Sequence, residues 1–281
     1  MEYREFYNGV KIPMVGFGVY QIPEYEDAKK AVLTALNAGY RLIDTAQGDM
    51  NETAVGDAIK ESGVAREDVF VTTKLWIQDF SYDGAIKATE LSLERLGVDY
   101  IDLMLLHQPL GDYINAWRGL EQLYKDGKLK AIGMANCYPH VLVDLCETFE
   151  IKPMANQVEM HPFFQQQLNL DTMNAYGVVP EAWAPFNEGN RNFFADPILT
   201  EVGKKYGKSA AQTALRWNIQ RGVVVIPKSV HEDRIKHNFE VFDFALSEED
   251  MRKIAAMDIG HSEIVNHFDP QWIKMLHQWK F

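Results

Sequence analysis

Short apolar runs alternate with longer amphipathic stretches along the whole chain, and the two kinds of segment carry different periods. Eight runs are apolar without alternation: Met14–Val19, Arg41–Asp44, Val69–Lys74, Tyr100–His107, Leu129–Ala135, Met154–Glu159, Val179–Trp183 and Val223–Pro227. Runs of that length, apolar on both faces, predict strands of a parallel sheet covered by helices. The segments between them place apolar residues at helical spacing: Ala28–Ala38, Asn51–Ser62, Tyr82–Leu96, Ile114–Asp126, Pro139–Phe149 and Leu168–Tyr176. Pro197–Tyr206 and Ser209–Arg221 share the seventh connection, and Glu232–Glu240 and Ser247–Met257 follow the eighth strand. Ser247-Glu248-Glu249 is an N-cap signal. Ahead of the first run, Tyr3–Phe6 and Val10–Pro13 flank Asn8-Gly9, which predicts a tight hairpin.

Eight strands, each followed by helix, predict one α/β domain over residues 1–281. Its expected form is a single (β/α)8 TIM barrel with an N-terminal hairpin and extra C-terminal helices and tail. An open doubly wound sheet is the rival. It lacks its phosphate fingerprint, because Gly16-Phe17-Gly18 is incomplete and runs into a loop containing Pro23.

Composition adds exclusions. With 28 Lys+Arg against 40 Asp+Glu the chain carries −12, which argues against nucleic acid and anionic membrane surfaces as partners. Any phosphate ligand needs a local basic pocket. Two cysteines, Cys137 and Cys146, cannot build a disulfide framework or a cysteine zinc site. The start Met1–Glu5 has no hydrophobic signal core, so the expected location is cytoplasmic. The run Glu159-Met160-His161-Pro162 looks like a metal pair only on the surface, since no third ligand is recognisable, and no metal is expected.

In a barrel, chemistry belongs at the C-terminal ends of the strands. Asp44, Lys74 and His107 end the second, third and fourth strands, Asn136 follows the fifth, and Trp183 ends the seventh. Lys228-Ser229 follow the eighth. Each alone is more often a capping or solvated residue than a catalyst. Together they place an acid, an amine and an imidazole on consecutive rims of one mouth, where neighbours tune a proton donor.

At these positions longer blocks also match a known family. Gly39-Tyr40-Arg41-Leu42-Ile43-Asp44-Thr45-Ala46, Thr73-Lys74-Leu75-Trp76, Leu106-His107-Gln108-Pro109, Asn156-Gln157-Val158-Glu159 and Ile226-Pro227-Lys228-Ser229 occur in order, followed by Arg234 and Asn238. The chain resembles the aldo-keto reductases, in the branch that is like bacterial 2,5-diketogluconate reductase and prostaglandin F synthase. The resemblance implies a barrel that binds extended NADPH/NADP+ and moves hydride between the nicotinamide and a carbonyl carbon, usually as a monomer. It implies a catalytic tetrad of Asp, Tyr, Lys and His. Asp44, Lys74 and His107 fall on three of those positions, and the tyrosine position holds Asp49, pinned by Asp44 on one side and Asn51-Glu52 on the other.

By the same resemblance, Asn136 and Gln157 bind the carboxamide and Trp183 stacks on the nicotinamide. Lys228, Ser229, Arg234 and Asn238 hold the 2′-phosphate and adenine, while Tyr20, Trp76 and Trp117 wall the substrate pocket with Gln108 near its mouth. Ala135 and His237 depart from the family pattern, as do Asn187 and Asn190-Arg191-Asn192 in the seventh loop.

Aspartate is shorter than tyrosine and, beside a cationic lysine, is expected to be ionised at pH 7 and therefore an acceptor only. Loss of a positioned general acid forfeits about 10²–10⁴ in rate. The expected function is therefore an NADPH-dependent oxidoreductase acting on a small carbonyl, or an iminium that needs no proton, with altered or impaired proton donation. The alternatives are an engineered or diverged cofactor-binding barrel without carbonyl reductase activity, and one repurposed for lyase or isomerase chemistry. The tail His261–Phe281, with Trp272, Trp279 and Phe281, reads either as a pocket lid or as a packed strap, the strap being favoured for its last residues.

Overall fold

In the computed structural model, which describes residues 1–281, a hairpin of β1 (Tyr3–Glu5) and β2 (Lys11–Pro13) precedes a single parallel sheet. The sheet runs in sequence order through β3 (Phe17–Gly18), β4 (Leu42–Asp44), β5 (Phe70–Leu75), β6 (Leu103–Leu106), β7 (Ile132–Ala135), β8 (Ala155–Glu159), β9 (Val179–Trp183) and β10 (Val224–Val225). The first and last strands meet through a parallel bridge between Val15 and Val225. Gly16 N donates to Val225 O at 2.9 Å, Val225 N to Met14 O at 3.0 Å, and Gly18 N to Pro227 O at 3.0 Å. The sheet therefore closes on itself. That seam requires glycine at Gly16, where a Cβ would fall 2.6 Å from Leu42 Cδ2 and 2.8 Å from Ile226 Cδ1.

The connecting helices are α1 (Tyr25–Asn37), α2 (Glu52–Ser62), α3 (Tyr82–Leu96), α4 (Tyr113–Lys125), α5 (Pro139–Thr148) and α6 (Gln167–Tyr176). Then come α7 (Pro197–Tyr206), α8 (Ala210–Gln220), α9 (Glu232–Phe239), α10 (Glu248–Ala255) and α11 (Pro270–Gln278). The periodic segments match these helices closely where a side-chain cap marks the start, whereas uncapped α1 begins three residues ahead of the predicted Ala28. Ser81 Oγ accepts from Gly84 N at α3, Ser209 and Gln212 form a reciprocal capping box at α8, and Ser247 Oγ accepts from Asp250 N at α10. No helix is long and apolar enough to cross a membrane.

Two expectations change. The run Met14–Val19 is laddered as a strand only at Phe17–Gly18, since its first half is spent on the closing seam. Trp117 does not wall the pocket. It lies on the inner face of α4 with Ala116, Leu120 and Leu123, fully buried against Phe149, its Nε1 donating to Ile151 O at 3.2 Å. Helical spacing alone places it there, on the stripe that faces the core.

Candidate active site

The C-terminal strand ends converge on a cavity of about 430 Å³. Asp44 ends β4, Lys74 lies one residue from the end of β5, and His107 follows β6, so their side chains meet over the barrel axis. Lys74 Nζ donates to Asp44 Oδ1 at 2.5 Å and to Thr45 O at 3.0 Å, with both side chains buried. The other carboxylate oxygen, Asp44 Oδ2, accepts from Gln157 Nε2 at 2.8 Å, and the same amide reaches Glu181 Oε2 at 3.3 Å. An amide facing two carboxyl groups must present its NH2 to them, which leaves Gln157 Oε1 free on the cavity side.

Glu181 was not anticipated as part of this cluster. It is fully buried on β9, two residues before Trp183, and strand alternation points both to the same face. A glutamate inside the apolar run Val179-Pro180-Glu181-Ala182-Trp183 was the available signal. Burial, reinforced by Asp44, pushes its carboxyl up to about 8.

Asp49 sits in the short turn Gln47–Asp49 between β4 and α2. Its carboxyl lines the cavity and makes no hydrogen bond within the chain, although Gln47 ties the turn down. Gln47 Oε1 accepts from Trp76 N at 3.0 Å and Gln47 Nε2 donates to Asp79 Oδ2 at 2.7 Å. Burial lifts the Asp49 carboxyl to about 7, with Asp44 and Glu52 pushing the same way and Lys74 opposing. The expectation of a plainly ionised aspartate is therefore corrected. Lys74 is already neutralised by Asp44 at 2.5 Å, and lost hydration outweighs what remains of its attraction.

His107 stays neutral, because burial and the adjacent Lys74 lower its imidazole to about 3. Its Nδ1 is sealed without a partner, so a ligand meets the ring through Nε2. Its carbonyl oxygen accepts from Asn136 Nδ2 at 3.0 Å, and Asn136 Oδ1 in turn accepts from Trp183 Nε1 at 2.9 Å. Asn136 adopts a left-handed backbone, φ +57°, a conformation asparagine tolerates better than most residues. This chain fixes the Trp183 indole at the cavity edge.

The walls are Tyr20, Trp76, Phe186 and Phe194, with Trp279 and Phe281 from the tail. Gln108 is buried at the mouth, its Oε1 bonded to His267 Nε2 at 3.1 Å. Burial lowers His267 to about 4. The tail's last residues thus line the cavity as a lid does while being tied down as a strap is. No local feature of 261–281 announced that, since it depends on where α11 returns.

Lys228 also lines the cavity, beyond β10. Ser229 is buried, its Oγ accepting from His231 N at 3.1 Å, while Asn238 is buried on α9 and Arg234 is exposed on the same helix. Neither Lys228 nor Arg234 is ion-paired, unlike many cations of this acidic chain, so both are free to meet an anionic ligand. The run Glu159–Pro162 is structural: His161 Nδ1 accepts from Phe164 N at 3.2 Å and Nε2 meets Glu159 Oε1 at 3.0 Å. No group of side chains has the arrangement of a metal site.

Comparisons with known proteins place the chain in a family. The sequence profile of the Aldo/keto reductase family matches residues 14–259. Glyoxal reductase of Bacillus subtilis (strain 168) is 48% identical over 255 residues, covering 90% of this chain and 92% of that protein. Morphine 6-dehydrogenase of Pseudomonas putida is 43% identical over 267 residues, covering 90% of each. Among solved structures, an aldo-keto reductase from a Medee basin deep-sea metagenome library superposes with TM-score 0.92 at 41% identity, over 96% of this chain and 99% of that one. The Bombyx mori aldo-keto reductase in complex with NADP superposes with TM-score 0.89 at 33% identity, over 92% and 94%.

Proposed function

We propose, from the premise that this chain belongs to the aldo/keto reductase family, that it is an NADPH-dependent oxidoreductase of small carbonyl compounds in which Asp49 replaces the usual phenol as proton donor. We place it in the branch like 2,5-diketogluconate reductase and prostaglandin F synthase. The observation that carries the reading is the Asp49 carboxyl. It faces the cavity without a partner and is dry enough to keep its proton up to about pH 7. A neutral carboxylic acid donates a hydrogen bond, and a carbonyl oxygen that gains negative charge then takes the proton.

The residues around the cavity fit the cofactor. Gln157 Oε1 is free to accept from a carboxamide NH2, and Asn136 Nδ2 keeps one hydrogen for the carboxamide oxygen. The Trp183 ring, held through Nε1, offers a stacking face. Lys228 and Arg234, with Ser229 and Asn238, form the local basic site for the 2′-phosphate and adenine in a chain of net charge −12. When bound, NADPH supplies the hydride. The chain's own part is to orient the substrate oxygen through His107 Nε2, deliver the Asp49 proton, and stabilise the resulting carboxylate through Lys74.

The pH dependence follows with a definite sign. The neutral form of Asp49 is the active acid, so kcat/KM for an aldehyde should be level below about 7 and fall about tenfold per unit above it. A profile flat from pH 6 to 9 would sink Asp49 as the donor. For the cofactor, titration followed by tryptophan fluorescence should show NADPH binding at least about tenfold tighter than NADH, a preference that Lys228→Ala or Arg234→Ala erodes. Equal affinities in the parent protein would contradict the phosphate site.

A second substrate type is favoured by the same unpartnered carboxyl. Above pH 7 the ionised Asp49, beside the rings of Trp76 and Tyr20, suits a cationic C=N⁺ group, which accepts hydride at carbon while nitrogen keeps the electron pair, so that no proton is needed. At pH 8 a permanently cationic cyclic iminium such as N-methyl-1-pyrrolinium should be reduced faster than cyclopentanone, and Asp49→Asn should abolish the difference. A ketone preference in the parent at that pH would remove this reading. Lyase chemistry through Lys74 is disfavoured, because its amine is held by Asp44 at 2.5 Å.

A further inference from the structure

We propose that the tail residues Trp279 and Phe281, clamped by Gln78 and stacked on Trp76, are a roof that keeps water from the Asp49 carboxyl, which makes Gln78, Trp279 and Phe281 positioning residues for the proton donor. The inference rests on Asp49 being that donor. The Gln78 amide pairs with both backbone groups of Phe281, its Nε2 donating to Phe281 O at 2.7 Å and its Oε1 accepting from Phe281 N at 2.9 Å. Two residues back, Trp76 Nε1 donates to Trp279 O at 3.1 Å, and the two indoles stack with centroids 5.8 Å apart and planes 22° apart. The Phe281 ring meets Trp76 edge-on at 5.3 Å.

Trp76 is also the post to which the Asp49 turn is tied, through its backbone N–H on Gln47 Oε1. The turn and the tail are thus fastened to the same residue. They touch directly at Gly48, the neighbour of Asp49, where a Cβ would fall 3.1 to 3.3 Å from three carbons of the Phe281 ring. Asp49, Trp76, Trp279 and Phe281 all line the one cavity.

Three aromatic faces, those of Trp76, Trp279 and Phe281, therefore stand where water would solvate an open carboxyl, and the three hydrogen bonds that hold the tail there each span more than 200 residues. The charged and titratable groups around Asp49 are Lys74 and Asp44 beneath it, Glu52 at the start of α2, Tyr20 after β3 and His107 after β6. The one titratable tail group on the cavity, His267, is held neutral by burial, which lowers it to about 4. The tail acts on the acid by excluding water, and its removal leaves the local charges in place.

Gln78→Ala releases the clamp without altering the tail, and Phe281→Ala removes the ring over Gly48. Carboxyl protonation can be read in the cofactor-free protein as the infrared carbonyl band that Asp49→Asn deletes. The parent midpoint should lie near 7, and both variants should lower it by at least one pH unit, with the alkaline fall of kcat/KM for an aldehyde moving by the same amount. A purely structural role for the tail would lower kcat/KM at every pH and leave the midpoint where it was. A parent midpoint near 7 that neither variant moves overturns the roof and leaves Asp49 as donor intact. A parent midpoint in the ordinary carboxylate range overturns both.

Discussion

Asp49→Tyr is expected to raise kcat/KM for a simple aldehyde by at least about tenfold at pH 7, with the gain widening about tenfold per pH unit above that. Two separate effects add. The aspartate side chain ends several bonds short of where a phenol hydroxyl would sit, and a donor misplaced by about 1 Å already costs around a hundredfold. Above pH 7 the parent also loses its neutral acid, whereas an unperturbed tyrosine keeps its proton to about pH 10. The cavity of about 430 Å³ has room for the ring beside Trp76. Steady-state NADPH oxidation at pH 7 and 9 measures both effects. An unchanged or lower rate would show that another group, such as His107 or a held water, already serves as donor.

Asp49→Asn should abolish proton donation and stabilise the fold. Burial raises the Asp49 carboxyl from 3.8 to about 7, so the folded chain holds a proton that the unfolded chain has released. Folding stability is then undiminished below the unfolded value, declines as pH rises from there toward about 7, and stays reduced above it. At about 1.4 kcal/mol per unit the penalty approaches 4 kcal/mol at pH 8, and an asparagine that cannot ionise does not incur it. Urea unfolding of the cofactor-free proteins at pH 4 and pH 8 gives the comparison: nearly equal stabilities at pH 4, and the variant ahead by about 2–4 kcal/mol at pH 8. The same advantage at both pH values would mean that a packing change, and not a proton, accounts for it. His107 imposes the opposite dependence on both proteins. Held neutral to about 3, it withdraws stability as pH falls from 6.5 toward that value, and this common term cancels in the difference.

These two substitutions pull one residue in opposite directions. The dry setting that keeps a proton on Asp49, as the proposed donor requires, is also what costs the fold, a common exchange at active sites. The inactive-barrel reading predicts something else: saturable NADPH binding, no turnover with aldehyde or imine, and no gain from Asp49→Tyr.

Much of the architecture was legible along the chain. β9 was bounded correctly at Val179–Trp183, and α3 and α7 at Tyr82–Leu96 and Pro197–Tyr206. Buried strands are continuous apolar runs, and these helices carry clear start signals in Ser81 and Asp196. The rim positions of Asp44, Lys74, His107 and Trp183 followed from their places at strand ends. Trp117 and Glu181 were misjudged or overlooked although period and alternation contained the signal, since a motif match gave the one a wall position and an apolar run hid the other.

What the sequence by itself determined was the eightfold order of strands and helices, the strand-end acid, amine and imidazole, and an aspartate at position 49 between Asp44 and Asn51-Glu52. These are local patterns, decided by side-chain period, caps and spacing. What only the tertiary structure decided was the setting of that aspartate, buried at the cavity where lost hydration pushes its carboxyl up. Its neighbours in sequence, Gly48 and Met50, say nothing about water. In the roof we propose, water is kept from it by Trp76 on the next strand connection and by Trp279 and Phe281 at the far end of the chain, which the return of α11 brings to Gly48. A carboxyl's affinity for its proton depends on every group that displaces solvent from it, and those groups are assembled only by the fold.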